Sequence, residues 1–132
     1  MSLRPGFSII MPTFNRAFCI CEAVDSVLMQ NYPDFELIVV DDGSSDGTDM
    51  LLKERYGAEM ACGRLKYLRS GHEGVSAARN KGLCAATREW AGYLDTDNRM
   101  CADYFAVFEN AVRTGGAKCY YCLLYTSDAA DD

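Results

Sequence analysis

Leu37-Ile38-Val39-Val40 is the longest unbroken aliphatic run in this chain, and it ends directly against Asp41-Asp42-Gly43-Ser44. A short continuous apolar run with no polar alternation is what a strand covered on both faces looks like. Both covers must come from the rest of the chain, which therefore needs helices on each side of a sheet. The abrupt change to two carboxylates and a glycine marks the point where the strand meets solvent.

Other short β-branched or aromatic runs alternate with helical spacing. Phe7 to Met11 reads as a strand stopped by Pro12, and Ala17 to Gln30 as a helix with Ile20, Val24, Val27 and Leu28 on one face. Gly43 to Gly47 reads as a turn, with Thr48 capping a helix that runs to about Tyr56. Leu65 to Leu68 is a third strand, Val75 to about Thr87 an alanine-rich helix, and Trp90 to Leu94 a fourth strand. Ala102 to Val112 is a further helix, and Ala117 to Tyr121 opens a fifth strand. This order predicts a mainly parallel sheet in a three-layer α/β/α arrangement, with functional residues in loops beyond the carboxyl ends of the strands.

Composition narrows the function. The chain has 132 residues, 49% of them hydrophobic and 24% charged, which is room for one ordinary globular domain. A net charge of −6 argues against nucleic acid or an anionic membrane surface as the partner. No apolar run can span a bilayer and no signal peptide opens the chain, so the expectation is a cytoplasmic protein without a transmembrane segment. A full-length parent peripheral to the membrane stays open. Seven cysteines at irregular spacing suit no closed disulfide framework. They are expected to be reduced and mostly buried, and Cys119-Tyr-Tyr-Cys122 finds no second pair to complete a zinc site.

The strand-end loops hold the chemistry. They are Pro12-Thr13-Phe14-Asn15-Arg16, then Asp41 to Gly47, then Ser70-Gly71-His72-Glu73-Gly74, and finally Asp95-Thr96-Asp97-Asn98. So many carboxylates at one sheet edge repel unless a cation offsets them. Oxygen donors from Asp and phosphate suit Mg²⁺ or Mn²⁺. Duller readings exist for each. Asp41 to Ser44 could be a plain turn, Phe14 core, and His72 a solvated loop residue. Asp42-x-Ser44-x-Asp46-Gly47 imitates the front of a calcium loop, but its twelfth position is Lys53. No dinucleotide or P-loop glycine pattern is present.

At these residues the chain resembles family 2 glycosyltransferases. Met11-Pro-Thr-Phe-Asn15, Glu36-Leu-Ile-Val-Val-Asp-Asp-Gly-Ser44, Gly74-Val-Ser-Ala-Ala-Arg-Asn-Lys-Gly82 and the D-x-D motif in Tyr93-Leu-Asp-Thr-Asp-Asn98 carry the resemblance, in order, over about Phe7 to Val112. Ser26 and Gln30 fit the same pattern. The resemblance implies a Rossmann-like GT-A fold that binds a nucleotide-diphospho-sugar through a divalent metal. Pro12 and Thr13 would lie against the nucleoside and Phe14 near the base. Asp42 would accept the base imide N–H, which points to a uridine diphosphate sugar. Asp95 would touch ribose or sugar, Asp97 would hold Mn²⁺ or Mg²⁺, and Arg79 would add a contact or brace the acidic loops. His72 and Glu73 depart from the family's usual residues.

The resemblance also implies an inverting transfer to an acceptor hydroxyl, with a carboxylate base beyond the end of this chain. Asp128, Asp131 and Asp132 are poor substitutes for it. Donor sugar and acceptor, whether glycan or lipid-linked sugar, are not legible. The alternative is a non-catalytic nucleotide-binding α/β module or an inactive fragment. Cys122-Leu-Leu-Tyr-Thr-Ser-Asp-Ala-Ala-Asp-Asp132 reads as the translation of a transposase-type sequencing adapter. The expectation is therefore a partial donor-binding domain over residues 1–121, with residues 122–132 not natural sequence.

Overall fold

The run Leu37–Val40 lies inside strand β2, Phe35–Asp41, whose seven residues are all buried. A computed structural model describes residues 4–115 of the chain. Four strands form one parallel sheet in the order β3-β2-β1-β4: β1 is Phe7–Thr13, β3 Leu65–Arg69 and β4 Trp90–Tyr93. Helices α1 (Ile20–Leu28), α2 (Thr48–Arg55), α3 (Gly57–Ala61), α4 (Val75–Ala85) and α5 (Tyr104–Thr114) fill the connections. The expected fifth strand at Ala117 to Tyr121 lies outside the described residues.

Alternation along the strands sorts the core into two halves. Ile9, Met11, Leu37 and Val39 face one side, where they pack with Ile20, Ala23, Val24 and Val27 of α1, Leu52 of α2 and Phe105 of α5. Phe105 closes the lower end of that half, its ring 5.1 Å from Phe7 and 4.9 Å from Phe35. Ile10, Ile38 and Val40 face the other side beneath Ala78 of α4. Gly82 permits that close approach, since a Cβ there would stand 2.5 Å from Ile10 Cγ2. The sheet thus has helices on both faces, as three layers require.

Several boundaries differ from the sequence reading. Pro12 does not stop β1, which runs to Thr13 opposite Asp41. Phe7 and Thr13 bond toward β2, whereas the Ile10 carbonyl accepts from Leu94 on the other side. Pro12 shares the orientation of Ile10, and pairing with β4 ends at Ile10 and Tyr93. Its missing N–H therefore faces the side where no ladder continues. Helix α1 begins at Ile20 because Arg16 to Cys19 form a turn, with the Arg16 carbonyl taking the N–H of Cys19 and Ile20. Helix α4 ends at Ala85, since Thr87 gives its N–H to Glu36 instead of to the helix. The short α3 was not foreseen. Asp46, rather than Thr48, supplies the side-chain acceptor at the start of α2, its Oδ1 taking the Thr48 N–H at 3.2 Å.

The cysteines also depart from expectation. The five described, Cys19, Cys21, Cys62, Cys84 and Cys101, are free, but none is buried, and the last three are exposed. Cys62 lies past α3, Cys84 on the outer face of α4, and Cys101 before α5, places the core does not reach. Among the described residues no helix is long and apolar enough to cross a membrane.

Candidate functional site

Strand order reverses at β1, where the chain goes to β2 on one side and later to β4 on the other. In such sheets the diverging loops leave a crevice beyond the carboxyl ends of the strands. Here that crevice is an open cleft of roughly 320 Å³. Its walls include Pro12, Thr13 and Phe14 from the end of β1, Asp42 from the turn after β2, and Asp95 and Asp97 from the loop after β4. Six of the seven residues singled out by sequence are therefore brought together. Arg79 is not in the wall. It reaches the cleft through Asp95, Nη2 to Oδ1 at 3.5 Å, with its guanidinium 5.8 Å from the Tyr93 ring centre.

The two adjacent aspartates have separate surroundings. Asp41 is fully buried and turned back toward β3, accepting from Tyr67 Oη, Arg69 Nη1 at 3.2 Å and the Ser44 N–H at 2.9 Å. Burial and that bond push the Tyr67 phenol up to about 12. Asp42 turns into the cleft while holding the loop between β3 and α4. Its Oδ1 takes the Glu73 N–H at 2.7 Å and the Ser70 hydroxyl at 3.0 Å, and its Oδ2 takes the Gly74 N–H at 2.9 Å. Burial raises the Asp42 carboxyl, but these donors outweigh it and hold the group below the usual carboxylate range. A carboxylate has about four acceptor positions, so about one remains for a ligand.

Gly43 makes this crossing possible. It has a φ of 90°, and a Cβ there would meet the His72 nitrogen at 3.3 Å. His72 is largely exposed, as expected for a loop residue, but its ring centre lies 4.4 Å from that of Phe14. Phe14 is 40% exposed and lines the cleft, so it is not core.

Cross-bonds that sequence spacing did not reveal tie the β1 and β2 loops together. The Asn15 N–H donates to Ser44 Oγ at 2.8 Å, the Ser45 N–H donates to Asn15 Oδ1 at 2.9 Å, and the Ala17 N–H donates to Asp46 Oδ2 at 3.0 Å. Asn15 adopts a φ of 53°, a left-handed conformation that Asn tolerates better than most residues. Ser26 and Gln30 perform a similar task under the last loop. The Met100 N–H donates to Ser26 Oγ at 2.8 Å, and Gln30 Nε2 donates to the Cys101 carbonyl at 2.6 Å. Helix α1 and the residue pair after it thereby fix the chain just after Asp97. Arg16, Val75, Ala78 and Thr96 also line the cleft and were not selected by sequence.

Two features bear on ligands. Thr13 Oγ1 is buried in the wall with no hydrogen-bond partner. Asp95 and Asp97 are both exposed, and among the described residues no three His, Cys, Asp or Glu side chains gather to hold a metal ion unaided. An ion there would need most of its ligands from phosphate and water, which suits Mg²⁺ or Mn²⁺ bound with a nucleotide.

Residues 8–131 match the model of glycosyl transferase family 2. The chain is 30% identical over 123 residues to the GalNAc(5)-diNAcBac-PP-undecaprenol beta-1,3-glucosyltransferase of Campylobacter jejuni, covering 91% of this chain and 39% of that protein. Its fold matches the mannosyltransferase PcManGT of Pyrobaculum calidifontis in complex with GDP-Man and Mn²⁺, with a TM-score of 0.72 at 31% identity, over 85% of this chain and 32% of that one. It also matches S. aureus TarS 1–349 in complex with UDP-GlcNAc, with a TM-score of 0.68 at 28% identity, over 82% and 30%. The chain spans well under half the length of each of these proteins.

Proposed function

This chain belongs to glycosyl transferase family 2 and has the GT-A fold, and from that premise we propose that its cleft binds the nucleotide-diphospho-sugar donor of a metal-dependent sugar transfer. The observation that carries the reading is the Thr13 hydroxyl. A buried hydroxyl without a partner is costly unless a ligand supplies one, and Thr13, which carries this one, lines the switch-point cleft.

Pro12 and Thr13 lie against the nucleoside, and Phe14 packs near the base. Asp42 offers its remaining acceptor position to the base imide N–H, which favours uracil over cytosine. Asp95 contacts ribose or sugar. Asp97 holds Mn²⁺ or Mg²⁺, and Arg79 braces Asp95. Lewis-acid neutralisation of the diphosphate is the chemistry such an ion supplies. The chain's own residues bind and orient the donor, and Ser26 and Gln30 keep the Asp97 loop in place. Transfer to an acceptor hydroxyl proceeds with inversion in the longer parent, through a carboxylate base outside residues 1–121.

Exposed free thiols at Cys62, Cys84 and Cys101 suit a reducing compartment, which supports a cytoplasmic setting. Residues 122–132, outside the described part, are sequencing-adapter read-through on this reading. Sequencing the gene from an independent template tests that: a natural gene encoding the same eleven residues would refute it. Calorimetry of UDP with and without Mn²⁺, on the chain and on Asp97→Ala, tests the donor reading.

A further inference from the structure

We propose that Arg16, seated on the ring of Phe18, is the chain's own counter-charge for the diphosphate of the donor. The inference rests on the nucleotide reading of the cleft and adds a residue to it.

Arg16 lines the cleft together with three carboxylates, Asp42, Asp95 and Asp97. An anionic diphosphate entering such a wall is repelled unless cations stand among them. The neighbouring cations are engaged elsewhere. Arg79 is on Asp95 at 3.5 Å, Arg69 is on Asp41 at 3.2 Å, and Lys81 donates to the Arg69 carbonyl at 2.8 Å. Arg16 has no carboxylate within ion-pair distance among the described residues.

Its backbone is fixed from both sides. The Arg16 carbonyl accepts two N–H groups at the entry to α1, and the next residue, Ala17, is tied to Asp46. The guanidinium stands 5.7 Å from the ring centre of Phe18, an aromatic side chain that is 77% exposed. A large ring left so open gains little from burial, but its face offers a seat to a cation and narrows the rotamers of Arg16. A guanidinium presents several parallel N–H donors, matching the paired oxygens of phosphate better than a point charge does.

The test separates phosphate from base. Binding of UDP and of uridine to the full chain is measured by calorimetry at low salt, for the unchanged protein, Arg16→Gln and Arg16→Lys, with melting temperature as the folding control. The expected result is a UDP Kd weakened about tenfold or more by Arg16→Gln. Uridine binding should change less than about twofold, and Arg16→Lys should fall between. Phe18→Leu should weaken UDP in the same direction by a smaller factor. Equal losses for UDP and uridine, or no loss for either, would overturn the proposal. An unchanged protein that binds neither UDP nor uridine would instead refute the nucleotide reading on which it rests.

Discussion

Asp42 Oδ2 accepts the backbone N–H of Gly74 at 2.9 Å, so the carboxylate that faces the cleft also holds the residue that opens α4. On the proposed donor reading, ligand binding and loop order are linked through this one side chain. Gly74 has a φ of 103°, a conformation that few other residues adopt, and its own carbonyl starts the helix by accepting from Ala78.

Asp42→Asn keeps the size of the side chain but replaces one acceptor oxygen with a donor, which must face an N–H or hydroxyl already pointing at it. The expected outcome is a loss of UDP affinity of about tenfold or more and faster hydrogen exchange at Glu73 and Gly74. Calorimetry and exchange measured on the same sample check both effects. Affinity lost with exchange unchanged would break the link. Because the folded Asp42 carboxyl sits below its ordinary value, its support for the loop is present above about pH 4 and fades as pH falls further.

Glu36 is, like Asp41, a fully buried acid, but it sits away from the cleft at the other end of β2. Lys66 Nζ stands 2.7 Å from Oε1, while Oε2 accepts from Ser8 Oγ, the Thr87 N–H and the Thr87 hydroxyl. Burial raises this carboxyl, but the four partners prevail and hold it at about 2. A depressed value means the stabilisation is full above about pH 4.5 and is lost as pH falls toward 2. Its size is roughly 3 kcal/mol by linkage. Urea unfolding across pH 2 to 7 should show that loss, and Glu36→Gln should flatten it. A variant with an unchanged pH dependence would contradict this.

Gly82 touches Ile10 with nothing to spare. Gly82→Ala gains about 1 kcal/mol of helix propensity. Against that it forces a methyl group within 2.5 Å of Ile10 Cγ2, an overpacking that costs about 1–3 kcal/mol. The net expectation is a destabilisation of up to about 2 kcal/mol, which Ile10→Val should not relieve, because valine keeps both Cγ atoms that the new methyl group meets. Thermal unfolding of the single and double variants reads this out.

Gln30→Ala removes the bond to the Cys101 carbonyl and frees the chain just past Asp97. The gain in UDP affinity that Mn²⁺ brings should fall several-fold, while UDP binding without metal stays the same. Loss of metal-free binding to the same extent would show that Gln30 acts on the whole cleft instead.

The parts of this molecule legible in sequence are those decided by local pattern. Leu37 to Val40 reads as a strand covered on both faces, and Asp42, two positions past Val40, falls on the cleft side of its turn. Ser26 and Gln30 could be matched to a family pattern, but not to a task, because their partners at Met100 and Cys101 are more than seventy positions away. Pro12 reads as a stop in sequence, because whether its missing N–H matters depends on where β4 ends. The cysteines read as mostly buried in sequence, because exposure depends on which face each helix turns outward. Arg16 does not stand out in sequence, because the fate of the other nearby cations is visible only in three dimensions.

The most direct test of the account is UDP binding to the chain by calorimetry with and without Mn²⁺, set beside Asp97→Ala. Mn²⁺ should tighten UDP binding about tenfold or more, and Asp97→Ala should abolish this gain without lowering the melting temperature. Binding of UDP that Mn²⁺ does not alter, or a gain that survives in Asp97→Ala, would contradict it.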